Sequence, residues 1–218
     1  MLDHVSLKAH ASSITSIIGV NGAGKTTLLK ILAGLEEMND GSILIDSSEI
    51  SINALRTHST MIFQKSIMIG GTVYDNVAYG LRVNGVPSQH IKEKVRYALD
   101  TVNLANFEKR KARKLSSGEQ QRVAIARALV IEREILLIDE PTANLDPTNT
   151  MIIEQVIKRA ARSRILILST HNLSQARRLS HQVIHLYKGS VLEDRDAEDF
   201  FTSPHDEKTR LFVDGELQ

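Results

Sequence analysis

The chain has 218 residues, 42% hydrophobic and 24% charged, a globular composition with ample length for a buried core. Its net charge of +1 supplies no basic excess for a polyanion, so nucleic acid is not expected as a partner. It contains no cysteine, which excludes disulfides and thiolate metal sites, and no apolar run reaches the roughly 18–20 residues that a membrane-crossing helix needs. The first residues show neither the charged start nor the apolar stretch of a secretory signal, so any membrane work is expected to pass through partner subunits.

In chain order, Ile14 to Gly19 is a β-branched apolar run ending in glycine, the pattern of a strand buried on both faces. A glycine loop follows, then a helix is predicted from about Lys25 to Leu35. Ser42 to Asp46 and Ser59 to Phe63 read as further strands. From Gly71 to about Leu129 the period becomes helical, with apolar residues at Val73, Val77 and Leu81 and again at Val95, Ala98, Leu99 and Val102. The basic run Lys109 to Lys114 within it reads as a solvated loop ahead of a further helix. Ile135 to Asp139 is a strand, Pro147 to Ala161 a helix, Arg164 to Ser169 a strand and Leu173 to Leu179 a short helix. Gln182 to Tyr187 and Val191 to Arg195 flank Lys188-Gly189, a hairpin turn signal.

Strands alternating with helices predict an α/β fold with a mainly parallel sheet and right-handed crossovers. The expected organisation is one domain over 1–218, with a core of 1–70 and 130–218 and a helical subdomain inserted at about 71–129.

Two loops carry phosphate chemistry. The first is Gly19-Val20-Asn21-Gly22-Ala23-Gly24-Lys25-Thr26, followed by Thr27. Its glycines let the backbone curl so that successive N–H groups face a phosphate chain, Lys25 reaches the β- and γ-phosphates, and the Thr26 hydroxyl takes Mg²⁺. Strand, glycine loop and helix in that order is the context such a loop requires, and it predicts a P-loop nucleotide-binding core with ATP and Mg²⁺. The second is Leu115-Ser116-Ser117-Gly118-Glu119, a serine-glycine loop opening a helix, where a hydroxyl and helix N–H groups form an anion site.

Acids complete the set. Strand Ile135 to Asp139 ends in Asp139-Glu140-Pro141. Two acids before a proline alone could be a solvated turn, but at the C-terminal end of a buried strand they lie where open α/β sheets bind ligands. Asp139 is placed to hold Mg²⁺ and Glu140 to polarise an attacking water. His171 follows strand 164–169 on the same rim. Beside it, Asn172 could be a helix N-cap. The other seven histidines, His4, His10, His58, His90, His181, His185 and His205, carry no site reading.

The two phosphate loops and the acidic strand end, in this order, resemble the ATPase subunit of an ATP-binding-cassette (ABC) transporter, from about Leu2 to Leu217. The resemblance implies that Ser116 and Gly118 of one subunit close over ATP held by the glycine loop of a second copy. It assigns His171, in its Ser-Thr-His context, to the γ-phosphate, Gln64 to the Mg²⁺ shell and Asp146 to a dimer-contact loop. It implies permease subunits as partners, an extracytoplasmic solute-binding protein as an indirect one, and a place on the cytoplasmic face of the membrane. The second loop departs from the common family form at Ser117 and Glu119, and no Phe, Tyr or Trp precedes Phe63 to supply the family's adenine-stacking ring. Chromosome-maintenance relatives need a long coiled coil between the two loops, and translation-associated relatives carry two cassettes. Neither pattern is present. The segment 71–81 is similar to that of oxyanion and amino-acid importers, and 140–146, 171–179 and 212–217 are similar to tungstate-importer ATPases, with phosphate or polar amino acids as alternative cargoes.

Overall fold

The computed structural model describes residues 2–216. Met1, Leu217 and Gln218 lie outside the described residues, so the C-terminal likeness at Leu217 falls outside them too. The described residues form two compact units: 2–61, 134–140 and 161–216 form the first, and 62–133 and 141–160 the second.

The first unit carries a six-stranded sheet in the order β4-β5-β6-β1-β7-β8. Its strands are β1 (Ser13–Ile18), β4 (Ser59–Ile62), β5 (Ile135–Asp139), β6 (Ile165–Thr170), β7 (Gln182–Tyr187) and β8 (Ser190–Asp196). β5, β6, β1 and β7 pair in parallel, and β8 runs antiparallel to β7. The mainly parallel sheet follows from the sequence pattern: all five residues of β5 and five of six in β1 and β6 are buried, which requires cover on both faces. Successive residues of β1 point to opposite faces. Ile17 joins Leu28, Leu29 and Ala33 of the α1 region (α1, Lys25–Leu32), with Leu137 and Ile167. Ile18 joins Ala176 of α7 (Leu173–Leu179), Phe200 of α8 (Ala197–Thr202) and Phe212 of α9 (Glu207–Val213). Burying Phe200 alone contributes about 2–3 kcal/mol on apolar area.

Two expectations need correction, and three short helices were not anticipated. The helix expected to Leu35 ends at Leu32, because Gly34 takes a left-handed φ of 68° and the Leu35 N–H donates to the Lys30 carbonyl, closing the helix end. The strand expected over 42–46 is instead a small hairpin outside the main sheet. Its arms are β2 (Leu44–Ile45) and β3 (Ser48–Glu49), joined through Asp46 and Ser47, both at positive φ. Three short helices lack an apolar period long enough to read: α2 (Ile52–His58), α8 and α9. Each is announced only by its cap, Ser51, Asp196 or Asp206, accepting a first-turn N–H. The turn at Lys188-Gly189 is as expected, with both residues at positive φ.

The second unit contains α3 (Val73–Val83), α4 (Ser88–Thr101) and α5 (Ser117–Leu129), packed on one another, and most of α6 (Pro147–Ala161). Thr72 and Asp75 form a reciprocal capping box at the start of α3, and those bonds hold the Asp75 carboxyl below its ordinary range. Buried Asn76 grips the Ile69 N–H and carbonyl. The basic run is exposed as expected except for buried Ala112, and its backbone is pinned to the start of α3 through Arg110, Lys111 and Ala112. Among the described residues no helix is long and apolar enough to cross a membrane.

His185 on β7 is fully buried, stacked on Phe212 and bonded through Nδ1 to the Thr209 hydroxyl. Burial pushes its pKa down from 6.5 to about 4, against the weaker upward pull of Asp206 and Glu193. The folded state therefore refuses a proton that the unfolded chain accepts. Stability contributed by neutral His185 is complete above pH 6.5 and is lost as pH falls from there towards 4, by at most about 1.4 kcal/mol per pH unit. Between pH 7.5 and 5, His185→Leu should lose several degrees less in melting temperature than the parent chain. Equal losses would show that His185 does not govern this window.

Candidate active site

Because β5, β6 and β1 are parallel neighbours, their C-terminal ends lie side by side, with Asp139 opposite Ser169 and Ile18 opposite Thr170. Every functional group of the first unit is attached to one of these ends or to the helix that follows β1. This is the rim where open parallel sheets bind ligands.

The chain leaves β1 at Gly19, with φ 148°. A Cβ there would lie 2.1 Å from the Leu186 carbonyl oxygen on β7, so a side chain is excluded. The loop then turns into α1 at Gly24, an N-cap position with no side chain to accept the first-turn N–H groups. Asn21, Gly22, Thr26 and Thr27 are exposed, Val20 and Gly24 half-buried, and Ala23 and Lys25 buried. The Lys25 ammonium is held by the carbonyls of Gly19 at 2.7 Å and Val20 at 3.1 Å. Burial lowers the Lys25 pKa, while the nearby Glu140 and Asp139 carboxylates draw it back up.

Asp139 is 4% exposed, and each of its oxygens receives a hydroxyl. Thr26 donates to Oδ2 at 2.9 Å and Ser169 donates to Oδ1 at 2.5 Å. Glu140 follows with φ 46°, a left-handed backbone that costs a non-glycine residue about 1–3 kcal/mol. Its N–H donates to the Ser169 carbonyl at 3.1 Å and to the Ser169 hydroxyl at 3.2 Å. The Glu140 carboxylate meets His171 Nδ1 at 2.8 Å, with the Glu140 side chain 11% exposed and that of His171 56%. The acid is thus deep and the imidazole on the rim. The helix-cap role belongs to Asn172, whose side chain accepts the Gln175 N–H, so His171 is not needed for it.

Gln64, Ser116, Gly118 and Asp146 belong to the second unit. Gln64 is exposed just past β4. Ser116 caps α5 through a reciprocal box: its hydroxyl accepts the Glu119 N–H, and Glu119 accepts the Ser116 N–H at 2.8 Å. Glu119, a departure from the common family form, is therefore a structural partner of Ser116. The hydroxyl, used only as an acceptor there, keeps its own hydrogen to donate. Gly118 is buried, and a Cβ on it would lie 2.4 Å from the Asn149 side chain. Asn149 donates through Nδ2 and its backbone N–H to the two oxygens of Asp146, which holds the Asp146 carboxyl below its ordinary range. Asn149 thus joins the Asp146 loop to the start of α5.

Ser169 and Asn149 were not singled out by sequence reasoning, and Glu119 was singled out only as a departure from the family form, not as the partner of Ser116. Ser169 follows the apolar run Ile165 to Leu168 at the polar end of β6, where its sequence carries no signal beyond an ordinary strand end. Nothing in the sequence announced Asn149, whose importance comes from the approach of α6 to α5.

The donor set suits a phosphate chain and a hard cation. Lys25 and an uncapped helix start face the loop, and Thr26 and Asp139 offer oxygen ligands of the kind Mg²⁺ takes alongside substrate phosphates. Residues 2–143 match the family model described as ABC transporter. The chain belongs to the ABC transporter family. ABC ATPases hydrolyse ATP, bound in general with Mg²⁺, and those of importers work as dimers with permease subunits. The chain is 40% identical over 234 residues to a phosphate import ATP-binding protein of Natronomonas pharaonis, covering 100% of this chain and 82% of that one. It is 40% identical over 204 residues to the tungstate uptake system ATP-binding protein of Peptoclostridium acidaminophilum, covering 92% of each. Its fold is similar to that of cbiO1 from Clostridium perfringens, part of the ABC transporter complex cbiONQ. The TM-score is 0.84 at 27% identity, over 96% of this chain and 86% of that one.

Gly19→Ala must displace the Leu186 backbone or open the loop. It should lower the melting temperature by on the order of 5–10 °C and abolish ATP binding in a direct titration. Retained affinity would show that the close approach to Leu186 is not needed for the loop's shape.

Proposed function

We propose that this ABC ATPase powers uptake of a tetrahedral oxyanion, with two copies arranged head to tail around two ATP molecules. The observation that carries the catalytic part is the convergence of Lys25, the Thr26–Asp139 pair and the Glu140–His171 pair at adjacent strand ends. In this reading the loop from Gly19 to Thr27 binds the triphosphate through its N–H groups, and Lys25 exchanges its carbonyl partners for phosphate oxygens. Thr26 and Asp139 hold Mg²⁺, joined by Gln64. Donating its hydrogen to Asp139 leaves the Thr26 oxygen lone pairs for the cation. Mg²⁺, when bound, neutralises charge on the β- and γ-phosphates.

Glu140 is the base that orients and deprotonates the attacking water. His171, steered through Nδ1 by Glu140, presents Nε2 to the γ-phosphate. Ser116 donates its free hydroxyl hydrogen, and α5 its first N–H groups beside Gly118, to the ATP of the second copy. Asp146, braced by Asn149, forms part of the same dimer contact. The remaining partners are permease subunits and, indirectly, an extracytoplasmic solute-binding protein, which puts the chain on the cytoplasmic face of the membrane.

For the cargo, the sequence texture favours tungstate. The likeness to both a tungstate uptake protein and a phosphate import protein supports the wider class that contains both anions.

Glu140→Gln should bind ATP within about threefold of the parent yet lose at least about 100-fold in hydrolysis, since a positioned base contributes that much. Sedimentation of this variant should give a monomer without nucleotide and a dimer with ATP. Parental hydrolysis would remove Glu140 as the base, and a monomer at saturating ATP would remove the composite site. In cells of the source organism, replacing the native gene with the Glu140→Gln form should abolish uptake of tungstate or phosphate, measured by elemental analysis and labelled phosphate. Unchanged uptake of both would refute the oxyanion assignment.

A further inference from the structure

We infer that Ser169 is a positioning residue for hydrolysis, setting Asp139 and Glu140 together through one buried hydroxyl and its own carbonyl. The inference rests on the proposed roles of those two acids.

Ser169 is fully buried near the end of β6, between the parallel neighbour strands β5 and β1. Other buried hydroxyls of the sheet look elsewhere: Thr15 bonds Gln182, and Ser16 receives the Ser180 hydroxyl. Ser169 turns to the two acids. Its single hydrogen goes to Asp139 Oδ1, its oxygen accepts the Glu140 N–H, and its carbonyl accepts the same N–H. Accepting that N–H orients the hydroxyl so that its hydrogen faces the aspartate. The two hydroxyls on Asp139, from Ser169 and Thr26, fix the plane of its carboxylate. The Glu140 backbone, in the left-handed region, is held there by the two bonds to Ser169, and that turn sends its side chain to His171. Removing the hydroxyl leaves a buried carboxylate oxygen without its donor and loosens the Glu140 turn. Packing alone would be served by an alanine at this strand position, so the hydroxyl is explained by the acids rather than by the core.

The consequence is separable from stability. Ser169→Ala should leave Mg²⁺-free ATP binding within twofold and the melting temperature within a few degrees. It should raise the Mg²⁺ concentration for half-maximal hydrolysis about tenfold and lower kcat at saturating Mg²⁺ by a similar factor, the loss expected for a hydrogen bond to a charged group. Ser169→Thr, which keeps the hydroxyl, should recover most of both. A second measurement does not depend on that rescue. Mg²⁺-dependent tightening of ATP binding should fall in Ser169→Ala but not fall further when Ser169→Ala is added to Asp139→Asn. Parental Mg²⁺ dependence and kcat in Ser169→Ala would overturn the inference. So would a further fall in the double variant, or an equal loss of Mg²⁺-free ATP binding. Glu140→Gln in the same assay separates the two levels. If it hydrolyses normally, the reading of the acids has failed. If it is inactive while Ser169→Ala behaves as the parent, only the role of Ser169 has failed.

Discussion

Parallel hydrogen bonding between β5, β6 and β1 places Asp139 beside Ser169, and Ser169 in turn beside the end of β1, where the glycine loop begins. The strands are held in that register by apolar burial on both faces, so the charged groups at their ends inherit positions set by a core that contains none of them. A slip of one residue would exchange the faces of β5 and carry Asp139 away from Thr26 and Ser169. Catalytic geometry in the first unit is therefore a consequence of hydrophobic registration, and the polar bonds refine it.

Those polar bonds run as a chain. Thr26, on the helix after the glycine loop, bonds Asp139; Asp139 bonds Ser169; Ser169 bonds the Glu140 backbone; and Glu140 bonds His171. Each link leaves one group free to act on a ligand: a lone pair on Thr26, Nε2 of His171, and the carboxylate of Glu140. Networks in a low-dielectric site are costly when incomplete, which gives each member an effect beyond its own pairwise bond. Lys25 belongs to the same electrostatic balance. Its burial disfavours the charged form, and the two carboxylates it works beside partly offset that cost.

The second unit solves a similar problem with caps. Ser116 and Glu119 satisfy each other's backbone N–H groups, and Asn149 ties Asp146 to the helix that Ser116 begins. The serine hydroxyl is thereby held in one orientation without losing its donor. Replacement of the usual glutamine by Glu119 changes the charge of that cap but keeps its acceptor, which is the property the box needs.

Local chemistry is what the sequence determined by itself. The glycine spacing from Gly19 to Gly24 dictates a loop only glycine can form, Lys25 and Thr26 follow it at the reach of a phosphate, and the apolar run into Asp139 announces a buried strand ending in acid. The short apolar runs and the helical period likewise announced the long elements, because hydrophobic patterning survives in a single sequence. Short elements such as the β2–β3 hairpin and α2, α8 and α9 were decided by turns and caps, whose signals are too brief to outweigh their neighbours. Ser169 and Asn149 acquired their partners only in three dimensions. Ser169 is 30 residues from Asp139, and that pairing exists only once β5 and β6 share a register. Long-range pairing depends on which strands the whole core aligns, and no single stretch of sequence encodes that alignment.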